Sequence, residues 1–323
     1  MHNPWLVVAS VKSWQHWHPV GSLRFFSAEE NGRSSRVHRF DGKTARFVPC
    51  DTVCAANCTY TEDVEREREF WGRAERELPR LTRAFIDGKL VDRVEQLELF
   101  SYVALLSARN PSFALPPSTE RLSVVVPVWQ AMIRGVFDVA ADVPAEDALR
   151  RVTEIFMATW DMCTWISPHG GLFSSENPAI WVAAEQGPRQ LWAPLSPTHY
   201  VVFARRGSRW PARFLSRTDV HNLNRMQVIY SDGAVFSARP FGDVERENLR
   251  LDFEERAFRE RQRRVKPSGV VVDSLSPPEL TQAVWNWRHR GHRAERAWSG
   301  FVAPLVNGVG PQPTTFEVAR TRR

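Results

Sequence analysis

The spacing of hydrophobic positions changes period along this chain, and each change marks a group of elements. Residues 1 to 48 alternate in strand fashion: Leu6 to Val11 is one candidate strand, and Arg36–Phe40 and Ala45–Val48 flank Asp41-Gly42, a dipeptide that predicts a hairpin turn. From Val64 to Leu149 the period becomes helical. Phe70, Trp71, Ala74, Leu78, Leu81 and Phe85 form one stripe with Glu and Arg opposite, and Pro79 inside it predicts a kink or a division. Val94, Leu97, Phe100, Val103, Ala104 and Leu106 form a second stripe that ends at Arg109-Asn110-Pro111. Ser118 is placed to cap a third helix running through Val126 toward Phe137, and Asp142, Pro144 and Glu146 start a fourth that runs through Met157.

Strand character returns at Trp160. Cys163–Ile166, Gly171–Phe173, Ala179–Ala183 and Tyr200–Phe203 are short apolar runs. Between the second and third lies a polar knot, Ser174-Ser175-Glu176-Asn177-Pro178, and the region closes with Pro194-Leu195-Ser196-Pro197. Pro178 turns Asn177 away from helical backbone. Polar groups between buried strands must find hydrogen-bond partners or open into a cleft, so the knot is either a site or a satisfied turn. Asp219–Tyr230 reads as a helix with His221, Asn222 and Asn224, Ala234–Ala238 as a strand, and Glu245–Lys266 as a charged helix. The predicted class is α+β: an N-terminal hairpin and a central mixed or antiparallel sheet, with a helical layer over 64–157 on one face. Residues 1–266 form one domain in this reading, and 267–323 a basic, aromatic, loosely attached tail.

Composition narrows the picture modestly. A hydrophobic fraction of 43%, with 13 Trp and 19 Phe in 323 residues, suffices for a large core. No apolar run approaches the roughly 20 residues of a membrane span, and Trp5–Val11 lacks the flanks of a signal peptide. Cys50, Cys54 and Cys58 recur every fourth residue, which is neither the paired spacing of zinc ribbons nor a ferredoxin pattern. They read as small core residues, and with four Cys in all the expected setting is a reducing cytoplasm, with no metal or cofactor. The formal charge of +6, carried almost wholly by Arg, favours anionic partners. Trp285-Asn286-Trp287-Arg288-His289-Arg290-Gly291-His292-Arg293 mixes aromatics with cations, a pattern suited to phosphate contact and base stacking, or to a solvated helix with its Trp residues packed on the body. The P-loop, the Ser-nucleophile elbow, the HExxH helix and the dinucleotide-binding glycine motif are all absent.

One resemblance organises the remaining polar residues. Gln15-His16-Trp17-His18-Pro19 followed by Leu23-Arg24-Phe25-Phe26 resembles the N-terminal box of the bacterial domain-of-unknown-function 4238 family. Arg39-Phe40-Asp41-Gly42, Arg109-Asn110-Pro111, Ser175-Glu176-Asn177-Pro178, Pro194-Leu195-Ser196-Pro197 and Asn224 follow in the family's order, over roughly residues 15 to 240. Glu176 stands where the family carries Asp, one methylene longer, and Val20, Gly21 and Ser22 replace the usual Gln and aromatic. The resemblance implies that His16, Arg109, Glu176, Asn177 and Asn224 belong together; it implies no reaction. On chemistry, His16, Arg109 and Glu176 are the catalytic candidates, and Ser175, Asn177, Asn224 and Arg24 the substrate-binding ones. A bacterial protein that binds or acts on nucleic acid is expected, with phosphodiester hydrolysis in a defence or toxin setting as its catalytic form. The alternative is a non-catalytic binding or scaffold protein in which this set is a structural network.

Overall fold

The computed structural model describes residues 14–16, 18–28, 35–57, 64–108, 129–130, 133–182, 190–206, 213–230 and 233–263. The expected strand at 6–11, Arg109, residues 118–128 of the helix expected from Ser118 toward Phe137, Cys58 and the tail from 267, with Trp285–Arg293, lie outside these residues.

Asp41-Gly42 turns the chain between strands β2 (Arg36–Phe40) and β3 (Ala45–Pro49), as the dipeptide predicts. The Asp41 carboxylate accepts the backbone N–H groups of Lys43 and Thr44, and Gly42 adopts φ +87°. Glycine is required there twice over, because a Cβ would also lie 2.8 Å from Cγ of Phe253. Ahead of the hairpin, β1 (Trp14–His16) pairs with β4 (Ala55–Asn57), and Pro19 starts the single helical turn α1 (Val20–Leu23).

Helix α2 (Val64–Ile86) runs unbroken through Pro79, where the sequence predicts a kink or a division. The missing hydrogen bond is offset by packing: Ala74, Leu78, Leu81 and Phe85 are all buried on one stripe. The Pro79 ring itself lies against α1, so close that a Cβ on Gly21 would come within 2.6 Å of its Cγ. Helix α3 (Arg93–Ala108) buries Leu97, Phe100, Val103, Ala104 and Leu106 and leaves Val94 exposed. Helix α4 (Ala145–Thr159) starts after Pro144, slightly later than Asp142, with Glu146 and Asp147 in its first turn where the helix dipole favours them.

These helices cover a five-stranded sheet in the order β10-β5-β9-β8-β7, made of β5 (Trp160–Ile166), β7 (Ile180–Val182), β8 (Gln190–Pro194), β9 (His199–Arg205) and β10 (Arg213–Phe214). Its pairs are antiparallel except β10 with β5, so the sheet is mixed. Strand alternation sorts the two faces. Leu191, Ala193, Val201 and Phe203 point into the helical layer, where Phe100 contacts the rings of Phe137, Phe156, Trp160 and Phe203. Trp192, Tyr200 and Val202 point the other way with Trp165, onto Leu223 of helix α5 (Arg217–Tyr230).

A four-stranded sheet, β3-β2-β11-β6, adds β6 (Ser174–Ser175) and β11 (Val235–Ser237). Val37 and Phe236 face Leu23, Phe26, Cys50 and Cys54, while Phe40 and Val235 face Val228 and the buried side of helix α6 (Asp243–Arg263), Leu249 and Phe253. Helix α5 therefore packs on both sheets, with Leu223 toward one and Val228 toward the other. The arrangement is α+β, with the hairpin, central mixed sheet and helical layer the sequence predicts. Among the described residues no helix is long and apolar enough to cross a membrane.

Candidate functional site

The polar knot sits where the chain changes sheets. After Ile166 it leaves the five-stranded sheet, lends Ser174 and Ser175 to the edge of the four-stranded sheet, and returns at Ile180. Such a crossing strips backbone groups of regular partners, and α5 supplies them. Asn224 accepts the N–H of Phe173 (2.9 Å) through Oδ1 and donates Nδ2–H to the carbonyl of Gly171 (2.7 Å). One turn on, Gln227 accepts the Ser175 hydroxyl (2.7 Å) and donates to the carbonyl of Pro178 (3.2 Å). Ser175 and Gln227 are fully buried, and Asn224 nearly so.

Glu176 leaves the strand at a defined angle because its backbone N–H donates to the carbonyl of Ala234 (3.0 Å), while the Ala234 N–H donates back to Oε1 (3.2 Å). Arg39 Nη2 stands 4.0 Å from the same oxygen and its Nη1 holds Asp41 at 2.9 Å. The carboxylate lies flat on Gly233, where a Cβ would be 2.0 Å from Oε2. Cys54, fully buried beside this group, has its thiol pushed well up, first by desolvation and then by the negative charge of Glu176, with Arg39 opposing. It is therefore a protonated core residue rather than a nucleophile. Asn177 is buried, and its Oδ1 has no hydrogen-bond partner among the described residues.

Two histidines two residues apart take different places. His18, buried, contacts the carbonyl of Ser175 through Nδ1 (3.0 Å) and so joins the N-terminal box to the knot. His16 lies on β1 opposite Ala55, with Nε2 at 3.1 Å from the carbonyl of Asp51. Arg24 is exposed in the 3-10 turn after α1 and acts electrostatically on Cys50. Arg109 lies outside the described residues. Thus the fold gathers Ser175, Glu176, Asn177 and Asn224 with His18, Arg39, Gly233 and Gln227, four residues the candidate set does not include. Burial is the signal that separates His18 from His16: the residue immediately before Pro19 enters the core with α1. Among the described residues no three or more His, Cys, Asp or Glu gather in a metal-binding group.

On the outer side of the same crossing lies a cleft of about 640 Å³. Its floor is Gly170-Gly171, both at positive φ, with Gly171 held by Asn224 and Gly170 by Ser167; its walls are α5, the first turns of α6 and the segment after β11. Arg217, Arg225, Arg239, His169 and His221 line it, against the carboxylates of Asp243 and Glu245. Arg225 ties α5 to the buried Asp252 of α6 (2.8 Å). Arg239 forks onto Glu245 with bonds of 2.8 and 2.7 Å, and that pairing raises its already high pKa. Arg217, the first residue of α5, is exposed and has no carboxylate partner among the described residues. A second cavity of about 630 Å³, between α2, α3 and α4, is lined mainly by Val94, Leu97, Leu105, Ile133 and Val152 and offers little to an anion.

The fold is α+β, with an arginine-lined cleft next to a buried polar crossing. Compared with protein-family models, curated proteins and solved structures, the chain matches none.

Proposed function

We propose that this chain is a non-catalytic cytoplasmic protein that binds single-stranded nucleic acid in the cleft, and that the Ser-Glu-Asn-Pro knot is the scaffold under it. The carrying observation is the contrast in how polar groups are used. Asn224, Gln227, Ser175 and Glu176 are bonded to the chain itself, whereas Arg217, His169 and His221 are exposed on the cleft. Guanidinium groups around an open cleft suit phosphate, and a net charge of +6 favours the encounter. Membership of the bacterial domain-of-unknown-function 4238 family belongs to the same proposal. It is supported by one contact between two of its motifs, His18 of the N-terminal box at the carbonyl of Ser175, and by Asn224 holding Gly171 and Phe173 just ahead of the Ser-Glu-Asn-Pro motif. Trp285–Arg293 is a further candidate contact for the same ligand.

The test is fluorescence anisotropy with a labelled oligothymidylate at several salt concentrations. Binding that weakens with salt is expected, and Arg217→Glu should weaken it about tenfold and reduce the salt slope by about 1. Salt-independent or absent binding refutes the reading. Hydrolysis at Glu176 is the rival, favoured by the buried Asn177 Oδ1, which has no partner among the described residues. It requires Glu176→Gln to abolish a nuclease activity in a protein that stays folded. The scaffold reading expects that variant to bind as wild type, since an amide oxygen still accepts the Ala234 N–H.

A further inference from the structure

We infer that Arg239 is the guanidinium that anchors a phosphate in the cleft, and that Glu245 now occupies the place of the ligand's anionic group. This inference rests on the cleft being the binding site. Arg239 lines the cleft close to its floor: its Nη2 is 4.0 Å from where a Cβ of Gly171 would stand, and Gly171 is the residue whose carbonyl Asn224 holds. Its two bonds to Glu245 have the parallel fork geometry with which a guanidinium takes the two oxygens of a carboxylate or a phosphate. Glu245 contributes little else to the fold. It sits in the first turn of α6, and among the described residues its one other bond accepts the N–H of Gly242 at 3.4 Å, a capping role that glutamine fills equally. The pair is partly exposed, the Arg239 side chain at 53% and that of Glu245 at 25%, so water and salt already weaken it and an incoming phosphate can displace the carboxylate. Arg239 also donates to the carbonyl of its neighbour Pro240 (3.2 Å), which keeps the guanidinium in place when Glu245 lets go.

Glu245→Gln tests this, because it keeps an acceptor for Gly242 and removes the competing charge. Affinity for an oligothymidylate is measured by anisotropy for wild type, Glu245→Gln, and Glu245→Gln combined with Arg239→Ala, each checked for an unchanged unfolding midpoint. Each strand is used with and without a 5′-phosphate. Glu245→Gln should tighten binding by about three- to tenfold, and Arg239→Ala should erase that gain. A gain confined to the phosphorylated strand assigns the site to a terminal phosphate; a gain on both assigns it to an internal phosphodiester. Unchanged or weaker binding by Glu245→Gln overturns the inference, and so does a double variant as tight as the single one, which would reduce the effect to long-range charge. The same three proteins are titrated with inorganic phosphate by calorimetry. Should neither strand bind while phosphate shows the Arg239-dependent gain, the nucleic-acid reading falls and the Arg239 assignment stands. Should phosphate fail as well, both fall.

Discussion

Replacing Asn224 by alanine is the sharpest probe of the crossing. The side chain satisfies two backbone groups more than fifty residues away in sequence, the N–H of Phe173 and the carbonyl of Gly171. Phe173 is 1% exposed and Asn224 itself 7%, so water cannot simply replace the lost amide. Each buried group left unsatisfied costs about 1–3 kcal/mol, and the stronger claim lies with the Phe173 N–H in its apolar surroundings. A loss of about 2–4 kcal/mol is expected, a large part of a typical total of about 5–15 kcal/mol. With a urea m-value near 3 kcal/mol/M, the unfolding midpoint should fall by roughly 1 M with m unchanged. Asn224→Asp should be no better, because it keeps the acceptor for Phe173 but turns a carboxylate oxygen toward the Gly171 carbonyl. The Gly170-Gly171 floor loosens in both variants, so oligonucleotide affinity should drop in parallel. A midpoint within about 0.2 M of wild type for Asn224→Ala, or a well-tolerated Asn224→Asp, would refute the clamp.

Two further predictions follow from the hairpin. Gly42→Ala places an L-residue at φ +87° with its Cβ 2.8 Å from the Phe253 ring, and should cost about 2–4 kcal/mol in urea unfolding; a neutral result would mean that α6 does not pack on this turn. Desolvation pushes the Asp41 carboxyl up, but the N–H groups of Thr44 and Lys43, the Thr44 hydroxyl and Arg39 outweigh it and hold the folded pKa at about 2, below the ordinary 3.8. A depressed folded pKa stabilises the protein above 3.8, and that contribution is lost as pH falls through 3.8 toward about 2. Asp41→Asn should flatten this part of the stability profile, and an acid limb of unchanged steepness would contradict the assignment.

Much of the fold is visible in residue pattern because local rules and tertiary packing agree there. Asp41-Gly42 specifies the hairpin, and Val201 and Phe203 alternate with Tyr200 and Val202 because both faces of β9 are covered. Pro79 does not divide α2, because the rule against proline within a helix is local, while its ring is accommodated by Gly21 from another segment. The candidate site is only half legible. The Ser-Glu-Asn-Pro knot and Asn224 stand out by type and order, but the amide of Asn224 bonds to the backbone of Phe173 and Gly171, and nothing in a residue's identity announces that use. His16 and His18 sit two residues apart in one box, and only burial and partner, the carbonyl of Asp51 for one and of Ser175 for the other, tell them apart. The cleft is invisible beforehand: Arg217, Arg239 and His169 come from separate segments of an arginine-rich chain, and their convergence depends on how α5 and α6 meet the sheets.

The central claim is that the ligand lies in the cleft and not in the knot, and photocrosslinking reads this directly. An oligonucleotide carrying 4-thiothymidine is irradiated with the full-length protein, and the attached peptides are identified by mass spectrometry. Attachment within residues 167–171, 217–225 and 239–248 is the predicted result. Attachment at residues 174–178 or at His18, with those cleft segments unmodified, would contradict the account.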